Sequence, residues 1–236
     1  MKKLTISEVI SQAWELTKKH WATVLVCFIA MFVVQFIINA IMGGSQALDV
    51  DQMIQNQKSQ DPATNLQQAI LMLQQNLAAS MVCMVINFVL SVGLYQILLN
   101  CARGNGNFTI DAWKQPGALF AKLFVAEIIA SFVVLVGFCC CILPGIYLYS
   151  RLQFFPYYML DHKDCGVMDG IEASWKSTKE NDITLCLLFF VFILIMILGV
   201  LCCCVGMFVA EILVSFAVVV CYLTLNSEEP KLEVTE

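Results

Sequence analysis

From Ile183 to Leu225 the chain carries a single charged side chain, Glu211. A helix needs about 20 mostly apolar residues to cross a bilayer, so a run of roughly twice that length fits two spans and a tight turn. The glycines place that turn between Gly199 and Gly206. A second long run, Ala118 to Leu160, folds back in the same way between Gly137 and Gly145, and single spans fit Ala22–Met42 and Ala78–Cys101. A soluble core cannot absorb this much apolar chain, because a globule of this size still needs a polar surface. The expected fold class is all-α: a polytopic membrane protein with six transmembrane helices at about 22–42, 78–101, 118–138, 140–160, 183–201 and 204–225. These form one transmembrane domain over 1–225, with an acidic cytoplasmic tail over 226–236.

Composition agrees. The 236 residues are 60% hydrophobic and 13% charged, where soluble domains average about 45–50% and about 25%; the mean hydropathy is +0.80. A net charge of −5 offers no basic footprint for nucleic acid. Twelve cysteines would suggest disulfides in a small secreted chain, but here most sit in or beside apolar runs, where thiols behave as small hydrophobes. In Cys139–Cys141 and Cys202–Cys204 successive side chains point about 100° apart, so neither triplet can aim three sulfurs at one ion. No metal or other cofactor is expected.

Lysine and arginine set orientation. Lys2, Lys3, Lys18, Lys19, Arg103, Lys114, Lys122, Lys163, Lys176, Lys179 and Lys231 fall on one side of six spans, with only Lys58 opposite. Both termini are therefore expected in the cytoplasm. Residues 4–20 are amphipathic and lack a small-residue cleavage site, so the N-terminus does not read as a cleaved signal.

Those residues place Ile6, Val9, Ile10, Ala13 and Trp14 on one helical face, with Thr5 and Glu8 as a capping box. The pattern predicts a helix lying in the headgroup layer with Trp14 as an interfacial anchor. Residues 167–181 align on 6–20 without gaps: Ile171 on Ile10, Trp175 on Trp14, Thr178 on Thr17 and Lys179 on Lys18. A weaker version, Asp111-Ala112-Trp113-Lys114, precedes the third span. Trp14, Trp113 and Trp175 thus mark three copies of a unit, an interfacial helix followed by a transmembrane hairpin. The first copy carries an insert over about 43–77, with nine glutamines from Gln46 to Gln75. It reads as a solvated outer loop, passing from Thr64 onward into an amphipathic extension of the second span.

Three ionisable side chains fall within the spans: Glu127, Arg151 and Glu211. An isolated charge at the bilayer centre costs at least about 2.5–3.5 kcal/mol on insertion scales, so these residues should face protein or water. Matching depths on neighbouring hairpins suggest an Arg151–Glu211 ion pair with Glu127 as third member. Such a group is either a clamp that fixes helix register or an ion path. Asp161-His162-Lys163-Asp164 reads as a solvated loop, and Asn39, Asn87 and Gln96 read as interhelical hydrogen-bond partners. No sequence motif supplies a catalytic nucleophile.

Three stretches resemble a known group: GLYQILLNCARGNG at 93–106, LPGIYLYSRLQFFPYYML at 143–160 and GIEASWKSTKEN at 170–181. Together they resemble a bacterial family of uncharacterised multi-span membrane proteins, related to the membrane domain fused to some glycerophosphodiester phosphodiesterases. The resemblance implies a six-helix module of the cytoplasmic membrane without the soluble catalytic barrel. The expected role is non-enzymatic, an accessory or organising module whose partners are the lipid bilayer and another membrane protein. The competing reading is a small-molecule, ion or lipid transporter that uses Arg151, Glu211 and Glu127.

Overall fold

A computed structural model of the chain describes residues 4–56, 62–104 and 115–226; for residues 39, 41–56, 62–79 and 203–205 it describes the backbone alone. Every regular element among the described residues is helical: α1 (Ile6–Asn56), α2 (Pro62–Ala102), α3 (Gly117–Cys140), α4 (Ile142–Leu152), α5 (Phe155–Asp161), α6 (Val167–Thr178), α7 (Asp182–Leu201) and α8 (Cys203–Leu225). Five of these contain stretches long and apolar enough to cross a membrane: α1, α2, α3, α7 and α8. Their outward faces carry large apolar side chains, among them Phe36 (67% exposed), Phe132 (65%) and Leu198 (60%). Such a surface suits lipid rather than water. The chain is an all-α, multi-pass membrane protein.

The fourth expected span, 140–160, is not one helix. Residues 142–161 form α4 and α5, interrupted at Gln153 and Phe154, whose backbones stay in the right-handed helical region. Pro156 in the first turn of α5 explains the interruption. It has no N–H to give the carbonyl four residues back, and its ring crowds that carbonyl.

The described residues divide into two compact units, one of Met1–Val26 with Val92–Glu236 and the other of Cys27–Ser91. In the smaller unit, α1 and α2 are joined by Asn87 Nδ2 donating to Gln35 Oε1 at 2.9 Å. That is the interhelical role expected of Asn87; the Asn39 side chain lies outside the described residues. The insert differs from expectation in its first half, since residues 43–56 continue α1 where a loop was expected, whereas 62–77 belong to α2, as the helical extension from Thr64 predicts. Glutamine is a good helix former, and Pro62 opens α2 where a missing N–H is harmless.

In the larger unit, α2 ends at Gly104, whose φ of 85° is a left-handed helix stop that glycine adopts without penalty. Leu98, Leu99, Leu119, Leu123, Leu185, Leu188, Phe216 and Leu223 are fully buried and form its core. The connections α3–α4 and α7–α8 are single residues, Cys141 and Cys202. Glycine lets each pair of arms close. A Cβ on Gly199 would lie 2.7 Å from Ala210 Cβ and 2.9 Å from the Gly206 carbonyl oxygen; one on Gly137 would meet Leu148 at 2.6 Å and the Gly145 Cα at 3.1 Å. The cysteines divide accordingly. Cys27, Cys101 and Cys221 are buried as small hydrophobes, whereas Cys139–Cys141 and Cys202 lie exposed at the tight turns.

The helical preludes also differ from expectation. The first is not a separate element but the start of α1, with no break before the span. Its buried positions are Val9, Ala13, Leu16 and Thr17, while Trp14 is 44% exposed. The packed face is therefore rotated away from Trp14 towards Thr17, because the small side chains at that edge allow closer approach. The second prelude, α6, is a distinct helix. It buries Gly170, Ser174 and Thr178, the positions that align with Val9, Ala13 and Thr17. Thr17 Oγ1 donates to the Ala13 carbonyl at 2.7 Å, and Thr178 Oγ1 to the Ser174 carbonyl at 2.8 Å. The third prelude, with Trp113, lies outside the described residues.

The hairpin geometry predicts that Gly199→Val lowers stability by about 1–3 kcal/mol through overpacking against backbone. Gly117→Ala, where a Cβ meets nothing within 4 Å, should change it by no more than about 0.5 kcal/mol. Thermal unfolding of both variants in detergent checks the contrast.

Candidate functional site

Arg151 occupies the last turn of α4 and is 3% exposed. Each of its three guanidinium nitrogens has a partner. Nε donates to Thr178 Oγ1 at 3.1 Å, one terminal nitrogen to Tyr147 Oη at 2.6 Å and to Asp182 Oδ2 at 3.5 Å, and the other to the Trp175 carbonyl at 2.6 Å. The Trp175 ring lies against it, 3.8 Å from ring centroid to guanidinium carbon, a cation–π contact that strengthens away from water. The backbone joins in, since Ser174 Oγ donates to the Arg151 carbonyl at 2.6 Å. Tyr147 Oη also donates to Asp182 Oδ2 at 3.1 Å.

This arrangement follows from local sequence. The Gly170, Ser174 and Thr178 face of α6 brings its backbone close enough for the Trp175 carbonyl to be reached. Asp182 stands in the first turn of α7, where the helix dipole favours a carboxylate. Arg151 thereby ties α4 to α6 and to the start of α7. Trp175, expected as an interfacial anchor, is 37% exposed, and one face of its ring covers the guanidinium.

The expected Arg151–Glu211 pair does not form; Asp182 takes that place. Equal depth is not equal direction. Residues two apart on a helix point about 200° apart, so Arg151 faces away from Tyr149 and Gln153, and it is these two that share a groove with Glu211. Glu211 and Glu127 take no hydrogen bond or ion pair among the described residues. Tyr149 lies within electrostatic reach of both carboxyls.

A second cluster was not expected. Arg103, just past α2, grips Asp161 with two bonds of 2.7 and 2.8 Å, and Tyr222 Oη donates to the same carboxylate at 2.6 Å. The Tyr95, Tyr157 and Tyr222 rings follow one another at 5.2 and 5.6 Å. Asp161 is thus a structural anchor rather than part of a solvated loop, while His162 beside it is exposed and stacks on Tyr158. The available signal was that Asp161 ends one apolar run and Arg103 another, but nothing in the sequence pairs the two ends. Gln96 bonds within its own helix, to Asn100 at 3.3 Å, rather than across helices.

No protein-family model, curated protein or solved structure matches this chain.

Removing Arg151 would strand Asp182 and several oriented acceptors. Arg151→Leu should cost about 3–5 kcal/mol, the range for breaking a buried pair. A double-mutant cycle of Arg151 with Asp182 should give coupling of about 0.5–3 kcal/mol, and the cycle with Glu211 close to none. Unfolding midpoints in detergent measure both.

Proposed function

We propose that this chain is a non-enzymatic accessory or organising module of the bacterial cytoplasmic membrane, with both termini in the cytoplasm. The observation that carries the reading is the state of Arg151. Its donors are committed to Thr178, Tyr147, Trp175 and Asp182, so the cation expected to take part in an ion path serves to hold helices together. The lipid-facing apolar surface leaves the outer faces of α1, α3 and α7 as the area for lateral contact with a membrane-protein partner. The three-copy repeat belongs to the same proposal. Its support, for two of the copies, is the aligned burial of Val9 with Gly170, Ala13 with Ser174 and Thr17 with Thr178. A relation to the membrane domain of glycerophosphodiester phosphodiesterases rests on the three stretches quoted above.

Transport is the second reading, and one observation favours it: Glu127 and Glu211 stand in apolar helices without an ion-pair partner among the described residues. Ionisable residues so placed often mark proton or substrate routes.

Native mass spectrometry of the tagged protein, extracted gently from bacterial membranes, tests the first reading. A membrane protein at fixed stoichiometry is the expected result. A chain that runs alone, and that supports a proton-driven flux in proteoliposomes lost in Glu127→Gln and Glu211→Gln, would overturn it. Orientation has its own test. A C-terminal green fluorescent protein fusion should fluoresce, and alkaline phosphatase fused at the same point should stay inactive.

A further inference from the structure

We infer that the groove around Glu211 is a binding site for a lipophilic cation, a molecule with an apolar body and one positive charge. The groove lies among α4, α7 and α8 and encloses about 510 Å³, within the range of small-molecule sites. Phe192, Met196 and Val214 are among the apolar side chains that line it. Three polar side chains join them: Tyr149, Gln153 and Glu211.

What these three offer sets the sign of the ligand. The Glu211 carboxyl and the Tyr149 hydroxyl have no hydrogen-bond partner among the described residues. Gln153 spends its amide nitrogen on the Ser150 carbonyl at 3.2 Å, which leaves its Oε1 as an acceptor. No lysine, arginine or histidine lines the groove. The titratable groups near Glu211 are Tyr149 from α4 and, beyond it, Glu127 from α3; α7 contributes only apolar side chains. A carboxylate, an amide oxygen, a hydroxyl and aromatic faces together form a set of electron-rich partners for a cation. Glu211 stands about 12 Å along α8 at 1.5 Å per residue, deep enough for hydrocarbon to replace water as the alternative surroundings. There an apolar body is needed to fill the groove, and a positive charge to pair with the acid.

A proton and the cation compete for the Glu211 carboxylate, and each displaces the other. Affinity therefore falls as pH falls, because protons compete for the same oxygen atoms. The site does not depend on the accessory-module reading. A chain without a protein partner would still bind, and a failure to bind leaves the partner experiment untouched.

The test uses the full chain in phosphatidylcholine nanodiscs with tetraphenylphosphonium as probe. Saturable binding of one probe per chain is expected, weakening from pH 8 to pH 5. Glu211→Gln should lower affinity about tenfold or more and remove the pH dependence. Val214→Trp, which fills the groove and leaves the acid in the chain, should block binding at unchanged thermal stability. Triphenylphosphine oxide, uncharged and of similar shape, should not compete. Absence of saturable binding, unchanged affinity in Glu211→Gln, or equal binding of the uncharged analogue would each overturn the proposal.

Discussion

An arginine removed from water must be given a complete set of partners, and the larger unit is organised around meeting that need at Arg151. A guanidinium left unpaired in a low-dielectric interior would cost several kcal/mol. Here a hydroxyl from α6, a carbonyl from α6, a phenol from its own helix and a carboxylate from α7 supply them. Each partner imposes a condition. The Trp175 carbonyl is within reach only because α6 packs through Gly170, Ser174 and Thr178, and Gly170 is tight enough that a Cβ would strike Met159 at 2.5 Å. Asp182 is in place only because α7 begins where it does. The kink at Pro156 follows directly after Arg151, so the last turn of α4 ends at the clamp while α5 runs on to Asp161 and the second anchor.

Two arginine–carboxylate anchors therefore frame the α4–α5 segment, Arg151 with Asp182 and Arg103 with Asp161. They differ in kind. Arg103 makes a two-pronged, partly buried pair of ideal length, whereas Arg151 is buried and relies on neutral acceptors and a tryptophan face more than on its distant carboxylate. In an apolar setting with few other polar contacts, such anchors specify register that hydrophobic packing alone leaves loose, since lipid tails are as apolar as the helices they meet. Glu127 and Glu211 are the charges this scheme leaves over, and both lie on the Tyr149 side, away from the arginine.

Much of the fold was legible in the sequence because membrane constraints act on composition and length. Long apolar runs had to be helices, and paired glycines flanked the two turns at Cys141 and Cys202. Asn87 stood as a polar residue needing a partner, and it has one in Gln35. The failures share a cause. The Arg151–Glu211 pair, the solvated reading of Asp161 and the face assigned to residues 4–20 all required knowing which way a side chain points around its helix. Within the spans, apolar residues on every side remove the periodic signal from which direction is read; in residues 4–20 the signal is present, but the packed face lies towards Leu16 and Thr17 rather than Trp14. The first half of the insert differs for another reason: glutamines suit a solvated loop but also favour helix, and the backbone continues as helix to Asn56.

By itself, the sequence determined that this chain lives in a bilayer, that it is helical, and roughly where it turns, because hydrocarbon admits no other backbone solution for such runs. Only the tertiary structure decided what each charge does. Whether Arg151 meets Asp182 or Glu211 depends on helix azimuth and on the closeness of α6, which small residues permit but do not announce. The same packing left Glu211 facing an apolar groove with acceptors around it. That is a property of three helices together, and no one of their sequences contains it.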